Sequence, residues 1–324
     1  MDRRWRLGLG LAVSAAALLL ALRGIELHRV AATLAQGDYL YLVPAGLGLV
    51  GYLCARAARW RLLLENRVSL SRCFWITNIG YLVSNILPFR LGDPARAVVV
   101  GRDETVSTAA ALSTVVVERV LDMLAVVLLL AMVLPFVAGS GDAVPFGLAA
   151  GGAAVAALVV LAFLAWRPDW GRRAIRRALG VVPGVDRERW ARSLDGLLDG
   201  LAPLRSPRLG MRLLLWSAVA WGTVVGFYWA LLRAFWPTAP LTAAVFLVCV
   251  VGLGMAVPSS PGAVGVFHAI ARYGLTVPFG VPPEQAVTIA FAMHGFQYLL
   301  GCALGLVGLG VEGLSLAWVS RKLT

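Results

Sequence analysis

Lysine is nearly missing from this chain, with Lys322 the single example in 324 residues. Histidine occurs three times and cysteine four times. Cys54, Cys73, Cys249 and Cys302 stand apart, without metal-ligand spacing, and read as small buried hydrophobes. Charged residues make up only 14% of the chain, and no polar stretch is long enough for a second globular domain. There is no Walker-type glycine-rich loop, no HExxH, no CxxC and no Ser-His-Asp pattern, so nucleotide, zinc, dithiol and serine-hydrolase chemistries are unsupported. No catalytic residue, metal site or cofactor is expected, and no nucleic-acid partner.

What is present is apolar: 60% of residues are hydrophobic, in runs close to the length of a bilayer crossing. These features predict an all-α, polytopic transmembrane helix bundle, a single integral membrane domain over residues 1–324. The net charge of +12 is carried almost entirely by arginine placed in loops and at helix ends. The positive-inside rule accounts for most of it, and contact with anionic lipid head groups is a compatible second role. The N-terminus has a basic start and an apolar core but lacks a small-x-small cleavage site after it, so a retained first helix is expected rather than a signal peptide.

Apolar segments run from about Leu7 to Leu22, Tyr39 to Ala58, Ala109 to Val137, Phe146 to Trp166, Leu213 to Trp236 and Gln285 to Val311. Arg56, Arg59, Arg61, Arg67 and Arg72 follow the second segment and read as a cytoplasmic stretch. The arginine-rich stretch 167–212 reads as a basic cytoplasmic loop, partly an amphipathic helix along the membrane surface. With Arg321 and Lys322 at the end, both termini are expected inside the cell membrane. An even number of crossings is then required. Six full crossings satisfy this if 73–101 and 241–276 are re-entrant or broken-helix hairpins. A shift of 170 residues carries Pro88 onto Pro258, Gly92 onto Gly262 and Arg102 onto Arg272, in the manner of an inverted repeat. Transporters built this way hold substrate between their two broken elements.

Three motifs carry polar chemistry. SNILPFRLGDPAR places Arg90, Gly92, Asp93 and Arg96 at the first hairpin tip. Pro94 suits the first turn of a helix, which makes Asp93 a candidate N-cap. The run is either a capped surface turn or an anion site, in which the two arginines grip a phosphate bidentately. VVVERVLD places Glu118, Arg119 and Asp122 inside an apolar segment, with Glu118 and Asp122 on one helix face and Arg119 about 100° round. Each unpaired charge in hydrocarbon costs about 2.5–3.5 kcal/mol on insertion scales. Partners or a polar path are therefore expected, and pairing with Arg90 or Arg96 at rest is one such arrangement. The third motif is PSSPGAVGVFH, with Pro258, Ser259, Ser260, Pro261, Gly262, Gly265 and His268. Its serines can cap the following helix, and its small residues permit close backbone approach. His268 and His294 read as buried hydrogen-bonding residues, and Trp60, Trp166, Trp221, Trp229 and Trp236 as interface belt and core.

Taken in order, LPFRLGDPAR, VVVERVLD and VPSSPGAVGVFH resemble the lysylphosphatidylglycerol synthase transmembrane region family, or flippase-like membrane proteins, over roughly residues 7–311. That resemblance implies a polytopic domain with interrupted helices. In the bifunctional multiple peptide resistance factor, such a domain moves aminoacylated phosphatidylglycerol across the membrane while a soluble domain makes it. With the sequence ending at Thr324, aminoacyl transfer is not expected here. Two departures stand out: Asp93 where the family favours glutamate, and His268 where many members carry an acid.

These readings point to a translocase for an anionic, aminoacylated or polyprenyl-phosphate-linked lipid, supplied by a separate lipid- or glycan-synthesising enzyme. The alternative is an intramembrane enzyme or accessory factor of polyprenyl-phosphate-linked glycan assembly, with Glu118 or Asp93 as base. A structural subunit docking through 167–212 is a third reading. Oligomeric state is not set by the sequence.

Overall fold

In the computed structural model, residues 3–87, 91–103, 106–137, 144–181, 206–255 and 260–323 are described. Among them there are helices and no strands. Arg90, Pro258 and Ser259 of the expected sites lie outside the described residues, as does most of the basic loop's second half.

The chain opens with α1 (Arg3–Leu22) and the short α2 (Leu27–Ala35). A four-helix unit follows, made of α3 (Leu42–Leu63), α4 (Leu70–Ile86), α5 (Gly92–Val100) and α6 (Thr108–Val133). Next come α7 (Val144–Trp166) and the arginine-rich, amphipathic α8 (Pro168–Val181). A second four-helix unit is α9 (Pro207–Phe235), α10 (Leu241–Gly254), α11 (Val266–Phe279) and α12 (Pro283–Val311), and α13 (Leu316–Leu323) ends the chain. Ser69, Ser107 and Ser206 cap α4, α6 and α9 by accepting from the amide three residues on.

Four spans are both long and apolar enough to cross a bilayer: Tyr39–Leu63, Thr108–Phe136, Pro207–Phe235 and Pro283–Val311. They match four of the six expected crossings. Of the other two, α7 is a 23-residue helix, whereas the apolar part of α1 is the shorter Ala12–Leu22. The 73–101 and 241–276 segments fold back as expected. Gly92 lies against the Gly80 carbonyl in the first, and Gly274 against Val250 and Leu247 in the second.

The shift of 170 residues extends well beyond the hairpin tips. It lays α3 on α9, α4 on α10, α5 across the start of α11, and α6 on α12. Packing follows the same rule: α4 sits on α12 and, correspondingly, α10 sits on α6. The most extensive helix contact, α3 on α9, is antiparallel. Asp38 N–H donates to the Ala234 carbonyl (2.8 Å) at one end, and Arg59 donates to Ser217 Oγ (3.2 Å) toward the other. A Cβ at Gly48 would lie 3.0 Å from the Thr223 carbonyl oxygen, so glycine sets the closeness of this pair. Gly305 and Gly308 do the same where α12 meets α4. Arg102 and Arg272, which the shift superposes, each donate to carbonyls at a helix C-terminus. Arg102 reaches Glu312 at the end of α12 (3.2 Å), and Arg272 reaches Leu20 and Ala21 at the end of α1 (2.8 and 2.9 Å).

Candidate functional site

The charges of VVVERVLD are answered chiefly by α3. Arg56 and Arg59 do not sit in a cytoplasmic stretch beyond the second segment: α3 continues to Leu63, and both side chains are buried inside the bundle. Spaced three apart, they share a helix face, as Glu118 and Asp122 do at a spacing of four. Arg56 Nη2 meets Glu118 Oε1 in a short ion pair, and Arg59 Nη2 lies 3.3 Å from the same oxygen and 2.8 Å from Asp122 Oδ1. Arg96 approaches from α5 and donates to Glu118 Oε2 at 3.0 Å. Glu118, 0% exposed, therefore accepts from Arg56 and Arg96 and is ion-paired with a third guanidinium, that of Arg59. Burying such a carboxylate requires this degree of pairing.

Aromatic rings set the arginine positions. The Arg96 guanidinium lies 4.2 Å from the centre of the fully buried Trp60 ring, and Trp60 Nε1 donates to Thr114 Oγ1 (3.1 Å). Trp60 is thus a core residue, not part of an interface belt. Arg56 donates to the Tyr52 and Tyr81 hydroxyls at 3.1 and 2.6 Å. Gly80 and Gly92 let α5 lie against α4: a Cβ on Gly80 would come within 2.7 Å of Arg96 Cγ, and one on Gly92 would overlap the Gly80 carbonyl and Ser84 Oγ.

Asp93 is not the N-cap of α5. Leu91 holds that position without a side-chain bond, and Asp93 stands in the first turn. Its carboxylate turns to Arg119, taking Nε on Oδ2 (2.8 Å) and Nη2 on Oδ1 (2.9 Å). A two-bond contact with a guanidinium outweighs one neutral amide, which is why the local capping rule fails here. Arg96 Nη1 stands 3.6 Å from Asp93 Oδ1 as well. As its helix angle implied, Arg119 faces away from Glu118 and toward α5.

At the second break, Ser260 does not cap the following helix by its side chain; its amide donates to Ser14 Oγ of α1 (2.8 Å). The start of α11 is Gly265, at φ +90°, with its backbone against the Ser14 carbonyl, a conformation and a fit that exclude a side chain. His268 Nδ1 accepts the Gly265 N–H (3.2 Å), which in a neutral ring leaves the proton on Nε2, 3.4 Å from His294 Nδ1. His294 Nε2 then donates to the Gly262 carbonyl (2.8 Å). Gly262, at φ +68°, follows Pro261 in the same turn. The two histidines, separate in the sequence, form one chain of hydrogen bonds fastening the break to α12.

Both breaks open on one cavity of about 450 Å³. Gly80, Ser84, Gly92 and Arg96 line one side, and Ser260, Gly262, His294 and Tyr298 another. Arg56, Arg119 and Asp122 reach it from α3 and α6. Among the described residues of this cluster, the four guanidinium groups of Arg56, Arg59, Arg96 and Arg119 face the three carboxylates of Asp93, Glu118 and Asp122, leaving one positive charge over. Buried Arg56 Nε, Arg96 Nε and Thr77 Oγ1 have no hydrogen-bond partner. The arrangement suits an anion with several acceptor oxygens. Among the described residues no three His, Cys, Asp or Glu side chains converge as a metal site would need.

Sequence reasoning missed Arg56, Tyr52, Tyr81 and His294 as parts of this cavity, and Arg59 as part of the ion-pair cluster beside it. The readable signal was complementarity: two arginines one helical turn apart in one apolar segment, and two acids one turn apart in another. Cys54 was misread in the other direction, since it is exposed on α3 while Cys73 and Cys249 are buried.

No curated protein and no solved structure matches the chain. Residues 8–305 match the lysylphosphatidylglycerol synthase TM region, and the chain belongs to that family of membrane proteins.

Proposed function

We propose that this protein is a translocase for a lipid with an anionic, phosphate-bearing head group, aminoacylated or polyprenyl-linked, which passes between leaflets through the cavity joining the two breaks. The observation that carries the reading is that a single cavity touches both interrupted elements and holds more guanidinium than carboxylate. Phosphate oxygens match the fork of arginine, and Arg56, Arg96 and Arg119 all line the cavity. Arg90 is an added contact on this reading, with Arg96, at the head-group end. The protein works in the cell membrane with both termini inside, and a separate lipid- or glycan-synthesising enzyme provides its substrate.

Reconstitution tests this. In vesicles containing a fluorescent anionic lipid, the protein speeds loss of inner-leaflet protection from a membrane-impermeant quencher. Gly252→Leu, which places a side chain in the cavity while leaving every charge in place, slows it. Exchange no faster than in empty vesicles overturns the proposal.

The reading of Glu118 or Asp93 as base toward a polyprenyl-phosphate-linked sugar has less support. Each carboxylate is already the acceptor of guanidinium groups rather than poised beside a free polar atom.

A further inference from the structure

One ion pair of the cluster differs from the rest. The side chains of Arg56, Arg59, Arg96 and Glu118 are all at most 4% exposed, whereas Arg119 is 47% and Asp93 32% exposed. Besides the central cavity, they face a second hollow of about 500 Å³, between the start of α5 and the outer face of α6. Its walls are apolar, formed by Pro94, Leu112, Val116, Val120 and Leu124. Asp93, Arg119 and Met123 line both this groove and the central cavity, so these three side chains form the partition between them.

A charged pair on an apolar, membrane-facing wall is costly, and the buried cluster does not need it there. Arg119 has no close contact with Glu118 and bonds chiefly outward, to Asp93. We infer that the α5/α6 groove is the lateral entry for a phosphate-bearing lipid. Its tail lies along Leu112, Val116 and Leu124, and its phosphate replaces the Asp93 carboxylate on Arg119.

The exchange is balanced. A phosphate offers the guanidinium the same two-bond geometry that Asp93 now occupies, so Arg119 loses no charge-assisted bond. Asp93 on release has a cation waiting, since Arg96 Nη1 is already 3.6 Å from Oδ1. A phosphodiester brings one negative charge, which neutralises the one positive charge left over in the cluster. The same movement parts Asp93 from Arg119 and so opens the partition, with the tail still in apolar surroundings. A neutral lipid with the same tail fits the groove but has nothing to offer Arg119. This inference deepens the translocase reading, and rests on it for the passage that follows entry.

The test uses the full chain in phosphatidylcholine vesicles with two photoactivatable lipids, phosphatidylglycerol and diacylglycerol, bearing the same diazirine tail. Cross-links are mapped by mass spectrometry. Phosphatidylglycerol is expected to label the Leu112–Leu124 peptide about fivefold more than diacylglycerol, the gain of one arginine contact. The lipid-facing Leu299 to Val307 stretch of α12 labels equally with both. Arg119→Gln abolishes the difference. Val116→Trp, which fills the groove and leaves the ion pair intact, also abolishes it and covers the case in which the Arg119 variant fails to fold. Equal labelling of the groove by the two lipids in the unaltered protein overturns the inference, as does a preference that survives both variants. Labelling is read without transport, so the two ideas fail separately. Translocation with head-group-indifferent labelling removes only the entry groove, and intact preference without translocation removes only the translocase.

Discussion

Replacing Glu118 with alanine is the most informative single perturbation of the buried cluster. The change deletes the shared counter-charge of Arg56, Arg59 and Arg96. Each arginine keeps something: Arg59 its 2.8 Å contact to Asp122, Arg56 the two tyrosine hydroxyls and Asp122 at 3.7 Å, Arg96 the Trp60 ring and Asp93 at 3.6 Å. Even so, three positive groups then surround a site with no negative charge. Removing one member of a buried ion pair costs about 3–5 kcal/mol, because the remaining charge stays out of water. That is about two to three and a half decades in the unfolding constant. The protein carries its own reporter, since Cys73 is fully buried in the core next to the cluster while Cys54 is exposed. A thiol-reactive dye in detergent, used on protein carrying Cys249→Ala and Cys302→Ala with the Cys54 signal taken as baseline, reads unfolding through Cys73. Glu118→Ala should advance the Cys73 signal by this margin. Asp122→Ala should cost less, because Asp122 is partly exposed and both α3 arginines keep Glu118. A loss below about 1 kcal/mol for Glu118→Ala, the level of an ordinary substitution, would refute the idea that this carboxylate holds α3, α5 and α6 together.

Other outcomes follow from the same geometry. Gly92→Ala should lower folded yield far more than Gly80→Ala, as judged by size-exclusion chromatography. The first drives a methyl into the Gly80 carbonyl and Ser84 Oγ, whereas the second overlaps less, meeting Arg96 Cγ at 2.7 Å and the Gly92 carbonyl at 2.9 Å. Trp60→Phe keeps a ring over Arg96 but strands Thr114 without its donor, and should cost about 1 kcal/mol in the same thiol assay. Arg272→Gln removes the donor to Leu20, Ala21 and Arg23, so amide exchange in the last turn of α1 should rise while the α3–α9 contact stays protected.

Much of this architecture could be read along the chain because the bilayer imposes a simple code. Uninterrupted apolar length marks spans, and proline with glycine marks breaks. The displacement linking Arg102 to Arg272 was visible before any helix was placed. What the code hides is the difference between an arginine that ends a span and one buried in it. Arg56 and Arg59 carry the composition of a cytoplasmic flank, and only their partners Glu118 and Asp122, sixty residues on, reveal otherwise. Asp93 fails for the same reason in miniature. Its neighbours Gly92 and Pro94 argue for a cap, while a guanidinium from another helix decides its geometry. His268 and His294 each look solitary because their contact is made by folding.

The two four-helix units share a course of chain but not a distribution of charge. Where the first has Arg56, Arg59, Asp93 and Arg96, the corresponding positions of the second are Gly226, Trp229, Ala263 and Val266. Helix α12 carries no acidic residue, lysine or arginine between Glu284 and Glu312. The cavity is therefore electrically lopsided, and on the translocase reading it grips an anion from one half and releases it past the other. Detailed balance limits what such a shape achieves. An uneven pathway alters how fast each direction is travelled, never the ratio at which both stop. On the translocase reading, net flow draws on a gradient: of the lipid, through synthesis on one side or consumption on the other, of a coupled ion, or of the membrane potential acting on the lipid's charge.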